Sequence, residues 1–207
     1  MLKIGVLVSG GGTNLQAMID ACETNGYPAK IVSVISSRSK AFAVERAKKH
    51  GLPCEVILKK QYEEQGAYEA AIIKNFETQS VELIVMAGFL TVLDGSFFER
   101  YENRIMNIHP SLIPAFCGKG FYGLKVHEAV LEAGVKVTGA TVQFAIEETD
   151  AGPIILQKAV DVFDDDTAEV LQKRVMEEAE WKILPEAVRL FAEGKIEVIG
   201  NRTRVNK

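Results

Sequence analysis

The chain contains 207 residues, of which 47% are hydrophobic and 25% are charged. This composition is typical of a folded globular protein and excludes a disordered chain. Acidic residues outnumber basic residues by 28 to 24, so the net charge of −4 gives no reason to expect a nucleic-acid partner.

At roughly 150 residues per domain, the length predicts a single domain over residues 1–207. The longest apolar stretch, residues 83–93, is far shorter than the roughly 20 residues that a membrane span needs. The opening residues lack the pattern of a secretory signal. Cys22, Cys54 and Cys117 are widely spaced, which favours reduced, buried thiols and argues against a zinc site. We therefore expect a cytoplasmic protein with no membrane partner.

The hydrophobic pattern of the first half predicts alternating strands and helices. A first helix should begin after residues 9–12, with Thr13 or Asn14 as its cap, and residues 41–50, about 62–79 and 96–101 form the next helices. The predicted strands cover residues 3–8, 30–36, 55–58, 83–86 and 104–108.

The pattern changes in the second half. Two strand-like runs, residues 136–148 and 153–163, follow one another without a helix between them, which indicates antiparallel pairing. Residues 167–191 then form a long helix. The predicted fold class is α/β: a doubly wound, Rossmann-like sheet, mostly parallel in the first half with antiparallel strands added in the second.

The first candidate site is the glycine loop, residues 9–14, which has the sequence SGGGTN and joins a strand to a helix. Amides at a helix N-terminus lack partners within the helix, and glycines let the backbone approach an anion, so the loop could bind a phosphate. The glycine spacing fits a dinucleotide fingerprint poorly, although Arg38 after the second strand would suit NADP better than NAD. A tight turn with no ligand is the remaining alternative.

The second candidate site lies where the fifth predicted strand ends. Asn107 and His109 alternate along the strand and should project to one side, at the sheet edge that also holds the glycine loop. An amide donor beside an imidazole suits a reaction that builds negative charge on a carbonyl oxygen. Asp150, from a loop between the two late strands, could hold His109 in place, although turn chemistry also explains an Asp there.

Other polar residues favour structural interpretations. Residues 164–166, three aspartates before a helix, are more typical of a helix cap than of a cation site. His127 is expected on a solvated helix face rather than in contact with a substrate. Lys119, between two glycines, could cover a site or simply face solvent.

Four motifs together carry a resemblance to a known family. In chain order they are SGGGTNLQAMID, AGFLTVL, NIHPSLIP and ETDAGPIILQ. With these motifs in this order, nearly the whole chain resembles the phosphoribosylglycinamide formyltransferase family, within the superfamily of formyltetrahydrofolate-dependent formyltransferases. The motif NIHPSLIP alone identifies only the superfamily.

The resemblance implies transfer of a formyl group from 10-formyltetrahydrofolate to glycinamide ribonucleotide in purine biosynthesis, a mechanism that requires no metal. We expect a monomer or a homodimer, a choice that the sequence leaves open. It assigns Asn107, His109 and Asp150 to catalysis and divides the chain into a phosphate-binding half, about residues 1–103, and a catalytic and folate-binding half, about 104–207. The residues that it places on the substrate are Gly12, Thr13, Asn14 and Glu180. Those that it places along the folate are Leu90, Thr91, Val92, Leu93, Asn107, Ile146 and Asp150.

The chain departs from the family pattern at several positions. Many relatives have arginine at the position of Thr91 and some near Gln65, which leaves open how the folate tail is held. Residues 115–122 form a loop about five residues longer than the bacterial pattern, and the run KRVMEEAEWK carries one extra residue. The alternatives to weigh are a related transfer-RNA formyltransferase or formyltetrahydrofolate hydrolase, an NADP-dependent reductase, and a silent sensor of a phosphorylated metabolite.

Overall fold

The computed structural model describes residues 1–206 as nine β-strands and seven α-helices. The strands are β1 (Leu2–Val8), β2 (Ala29–Ser36), β3 (Cys54–Val56), β4 (Leu83–Met86), β5 (Ile105–His109), β6 (Val137–Phe144), β7 (Ile154–Asp161), β8 (Ile196–Ile199) and β9 (Arg202–Val205). The helices are α1 (Thr13–Glu23), α2 (Phe42–Lys49), α3 (Gln65–Thr78), α4 (Gly95–Arg100), α5 (Leu124–Glu132), α6 (Ala168–Val175) and α7 (Trp181–Ala192).

Seven strands form one sheet in the order β3-β2-β1-β4-β5-β6-β7, and β8 and β9 form a separate hairpin. Strand β1 pairs in parallel with both β2 and β4, and β2 pairs in parallel with β3. Strands β6 and β7 pair antiparallel. The structure therefore confirms the predicted fold class, a Rossmann-like α/β sheet that is parallel in its first half and gains antiparallel strands in its second.

The chain divides into two compact units, with the boundary between Met106 and Asn107, inside β5. In the first unit, β1 is buried along most of its length because helices cover a parallel sheet. Gly5 lies where a Cβ atom would come within 2.6 Å of the Phe76 ring of α3, so its lack of a side chain permits close packing of helix on strand.

In the second unit, residues 168–192 form the predicted long helix, which is interrupted by a π-helical turn at Met176–Glu180. Thr167 caps this helix by accepting a hydrogen bond from the Val170 N–H. A π-turn takes up one residue more than the corresponding α-helical turn. It lies in the run KRVMEEAEWK, where the family resemblance implied one extra residue.

Two local predictions are wrong. The cap of α1 is Gly12, not Thr13 or Asn14, because the cap residue adopts the left-handed conformation with φ 71°. His127 is fully buried on α5 rather than solvated, because it shares the inner face of that helix with Val126 and Val130. The third strand also begins one residue earlier and ends two earlier than expected, and α3 begins at Gln65.

Candidate active site

The glycine loop lies between β1 and α1, as the sequence predicted. A Cβ atom on Gly12 would lie 2.7 Å from the Cβ of Ala43, so this position requires glycine both for its φ angle and for space. The two candidate residues that follow begin α1, where Asn14 is buried and Thr13 is half-buried. Amides in this first turn have no partner within the helix and are suited to an anion.

A second loop of the first unit, residues 88–94, is fastened at three points. The Leu90 N–H donates to the Ser9 Oγ (2.9 Å), and the Asp94 N–H donates to the Glu69 Oε1 (2.6 Å). Between them, the Val92 carbonyl accepts from the Gln65 Nε2 (2.9 Å).

The side chains of this second loop divide by exposure. Leu90 and Val92 are exposed, Thr91 is half-buried and Leu93 is buried. The loop therefore presents apolar groups to solvent from a backbone that is held at its start, its middle and its end.

In the second unit, the structure brings Asn107, His109 and Asp150 together. The Asn107 Nδ2 lies 3.4 Å from the Asp150 Oδ1, and the His109 Nδ1 lies 3.5 Å from the Asp150 Oδ2. The side chains of His109 and Asp150 are almost fully buried. Asp150 has φ 58°, a left-handed conformation that Asp tolerates better than most residues, and such strain is concentrated at functional sites.

The long loop, residues 115–122, contacts this trio directly. The Gly118 N–H donates to the Asp150 Oδ2 (2.8 Å), and the Phe116 carbonyl lies 2.9 Å from the His109 Nε2. Because a carbonyl oxygen only accepts, the Nε2 of His109 carries a hydrogen in this arrangement. The sequence left the role of this loop open, and Lys119 itself is exposed.

Gln143 is a contact of this site that the sequence analysis missed. Its Nε2 donates to the Asp150 Oδ1 (3.2 Å) from the end of β6. A buried glutamine in the otherwise apolar end of a strand was the signal that could have identified it.

The segment after His109 is braced from β6. The Thr141 hydroxyl donates to the Ser111 carbonyl (2.7 Å) and accepts from the Ile113 N–H (3.1 Å), which fixes the chain where it leaves β5.

Two further candidate residues, one for the substrate and one for the folate, also lie in the second unit. Glu180 is buried at the end of the π-turn, and Ile146 is exposed in the loop that leads to Asp150. Among residues 1–206, no group of three or more His, Cys, Asp or Glu side chains is arranged to hold a metal ion. Over the same residues, no helix is long and apolar enough to qualify as a membrane span.

Sequence comparisons with known proteins point to formyltransferases. Residues 2–188 match the family described as Formyl transferase. The chain is 39% identical to the phosphoribosylglycinamide formyltransferase of Haemophilus influenzae, over 97% of this chain and 92% of that protein. It is 44% identical to the trifunctional purine biosynthetic protein adenosine-3 of Gallus gallus, over 95% of this chain but only 19% of that protein.

The structural comparison agrees with the sequence comparison. The glycinamide ribonucleotide transformylase 1 of Symbiobacterium toebii superposes with a TM-score of 0.93 at 42% sequence identity, covering 100% of this chain and 95% of that structure. The chain thus spans nearly all of its bacterial relatives and about a fifth of the trifunctional ones. With the family matched over most of its length, this chain belongs to the formyl transferase family.

Proposed function

We propose that this chain transfers the formyl group of 10-formyltetrahydrofolate to the amino group of glycinamide ribonucleotide, a step of purine biosynthesis. The observation that carries the proposal is the contact of Asp150 with both Asn107 and His109, in a chain of the formyl transferase family. An amide, an imidazole and a carboxylate supply the oxyanion donors and the proton carrier that formyl transfer to an amine requires.

The proposed reaction begins when the neutral amine nitrogen forms a bond to the formyl carbon, whose oxygen becomes an oxyanion. The Asn107 amide and the Nε2–H of His109, which turns from the Phe116 carbonyl to the reacting group, donate hydrogen bonds to that oxyanion. Asp150 orients His109 and helps to carry a proton, through water, from the attacking nitrogen to the leaving nitrogen of the donor. The bond between the formyl carbon and the leaving nitrogen then breaks.

The first unit supplies binding elements in this proposal. Gly12, Thr13 and Asn14 bind the substrate phosphate at the start of α1, where the helix dipole favours an anion. The loop with Leu90, Thr91, Val92 and Leu93 lies along the pterin, since its exposed apolar side chains suit a flat ring.

In the second unit, we assign Glu180 to the substrate and Ile146, in the loop that ends at Asp150, to the folate. Both assignments rest on the family resemblance and on the placement of these residues in the second unit.

The proposal also covers the cellular location and the oligomeric state of the protein. A cytoplasmic location suits Cys22, Cys54 and Cys117, which are all free thiols, because disulfides are rare in reducing compartments. These thiols are half-buried rather than buried as the sequence predicted, and partial desolvation raises the pKa of each, which makes them poor nucleophiles. The chain acts as a monomer or homodimer, which sedimentation at working concentration distinguishes.

The test is a spectrophotometric assay of the conversion of 10-formyltetrahydrofolate to tetrahydrofolate, with and without glycinamide ribonucleotide. We expect conversion only when the ribonucleotide is present. Conversion without it would instead identify a hydrolase, and ribonucleotide binding without conversion would identify a sensor. Binding of NADPH in a titration would support the reductase alternative.

The variant His109→Ala tests the proposed mechanism in the same assay. We expect kcat to fall by about 100-fold or more, since loss of one oxyanion donor typically has that effect. The circular dichroism spectrum should stay unchanged, which shows that the fold is retained. Turnover at the wild-type rate in this variant would contradict the mechanism.

A further inference from the structure

Arg46 of α2 makes contacts with the glycine loop that the proposed function leaves unexplained. Its Nε donates to the Gly11 carbonyl (2.9 Å), and its Nη1 donates to the Gln16 Oε1 on α1 (3.1 Å). The guanidinium lies 5.1 Å from the ring centroid of Phe42, one turn earlier on the same helix. One cationic side chain thus joins the loop to both helices that flank it.

Two successive carbonyls of the loop are bound from the α2 side. The Gly10 carbonyl accepts from the Ala43 N–H (3.1 Å), and the Gly11 carbonyl accepts from Arg46. In a trans peptide, the N–H of the next residue points opposite to the carbonyl. The N–H groups of Gly11 and Gly12 therefore both point away from α2.

Two consecutive N–H groups on one side form the kind of concavity that binds anions. No heavy atom lies within 4 Å of the position that a Cβ would take on Gly10 or on Gly11, so the space there is open. The loop thus carries two amides on its side away from α2, with open space at both glycines, and Arg46 binds one of the two carbonyls that set the direction of these amides.

Arg46 is in turn held by a chain of side chains on α1 and at the end of α2. The Gln16 Nε2 donates to the Asp20 Oδ1 (2.8 Å) and lies 3.2 Å from the His50 Nε2. The His50 Nδ1 lies 2.8 Å from a carboxylate oxygen of Glu23, so this nitrogen is the donor and the Nε2 accepts from Gln16. This arrangement directs the Gln16 carbonyl oxygen towards Arg46.

We propose that Arg46 is the positioning residue of the phosphate site: it holds the Gly11 carbonyl so that the loop amides face the phosphate of the substrate. The inference rests on the proposed function, because the phosphate belongs to the proposed substrate. Arg46 acts through the loop, and its charge also favours a dianion nearby. A lysine at this position would keep the charge but could not donate to Gly11 and Gln16 from one rigid plane.

The test compares Arg46→Ala, Arg46→Lys and the wild type on glycinamide ribonucleotide and on the same substrate without its phosphate. We expect Arg46→Ala to raise the KM for the phosphorylated substrate by about ten-fold or more with kcat nearly unchanged, since a hydrogen bond from a charged group has that weight. The value of kcat/KM for the substrate without phosphate should stay at the wild-type level. Arg46→Lys should recover only part of the loss.

Lys48→Ala is the matched control, because Lys48 is an exposed cation on the same helix and pairs with Glu45. The KM and kcat values of this variant should match those of the wild type on both substrates. Equal losses on both substrates in Arg46→Ala, an unchanged KM, or full recovery in Arg46→Lys would each overturn the inference.

A separate measurement keeps this inference distinct from the proposed function. Calorimetric titration with ribose 5-phosphate should show weaker binding to Arg46→Ala than to the wild type by a similar factor. If the wild type shows no formyl transfer but this difference remains, the proposed function fails and the role of Arg46 stands. Equal binding of ribose 5-phosphate by the two proteins would overturn the role of Arg46 alone.

Discussion

Asp150 is surrounded by hydrogen-bond donors, so both of its carboxylate oxygens are needed as acceptors. Asn107 and Gln143 donate to its Oδ1, and Gly118 donates to its Oδ2. A carboxylate accepts at both oxygens, whereas an amide has one accepting and one donating end. Whichever way an asparagine is turned at this position, its amino group faces a donor.

The variant Asp150→Asn should therefore lower kcat by about 100-fold or more, because the group that orients His109 is lost and the donors around it are mispaired. The fold should survive, since asparagine tolerates the left-handed backbone at this position. The matched control is Asp165→Asn, at an exposed position before α6, which should keep wild-type turnover. Steady-state kinetics of both variants test the prediction, and equal activity would contradict it.

His127 should make the stability of the protein depend on pH. Burial, and secondarily the charge of His109, lower the pKa of His127 to about 4 from an ordinary value of 6.5. Between pH 6.5 and pH 4, His127 is protonated in the unfolded chain but largely neutral in the folded chain. The contribution of His127 to the free energy of unfolding is therefore fully present above pH 6.5 and is lost as the pH falls towards 4.

The loss from His127 should reach about 3 kcal/mol in the free energy of unfolding, by the equivalence of pKa shift and free energy. Urea unfolding at pH 7 and at pH 4.5 measures it. His127→Leu serves as the comparison because its side chain does not titrate, and it should lose less stability between these two pH values. An identical pH dependence in both proteins would contradict the prediction.

The sequence predicted that Asn107 and His109 lie close together, but it did not predict what surrounds them. The spacing of Asn107 and His109 on a strand is a local property, which periodicity reveals. The burial of His127 depends on what packs against α5, so its polar character misled the prediction although its spacing from Val130 pointed inward.

At the scale of elements, the loop of residues 88–94 depends on one buried carboxylate of α3. The Glu69 Oε1 accepts from the Asp94 N–H and from the Gln65 Nε2, both at 2.6 Å. The same Gln65 amide holds the Val92 carbonyl. Both hydrogen bonds of the Gln65 amino group are therefore used within the protein.

The variant Glu69→Gln should raise the KM for 10-formyltetrahydrofolate, with little change in the KM for glycinamide ribonucleotide. The amide oxygen of a glutamine can still accept both hydrogen bonds, but without the charge each weakens by about 1 kcal/mol, or roughly five-fold in binding. Glu63→Gln, at an exposed position before α3, is the control. Parallel changes in both KM values would show that Glu69 supports the fold rather than this loop.

The elements differ in how far the sequence specified them. Strands β1, β2 and β4 were predicted almost to the residue because each is a short apolar run that ends at polar or glycine residues. The contacts of residues 115–122 with His109 and Asp150 are made largely by backbone atoms, which carry no residue-type signal. Sequence patterns therefore could not predict the position of this loop.

At the scale of the whole molecule, the boundary between the two compact units lies inside β5 rather than in a linker. Domain boundaries usually fall in exposed, flexible segments with few contacts. The boundary here is not such a segment, because it falls inside β5. We therefore propose that residues 1–207 unfold as a single domain.

The single tryptophan makes this proposal testable. Trp181 lies in the second unit, so its fluorescence reports on that unit, while far-ultraviolet circular dichroism reports on the helices of both. For one cooperative domain, the two urea unfolding curves should coincide. A Trp181→Phe, Tyr62→Trp variant moves the fluorescence probe into the first unit, beside the Tyr68 ring, and should give a fluorescence curve that coincides with its own circular dichroism curve. Different midpoints from the two probes in either protein would show that the units unfold separately.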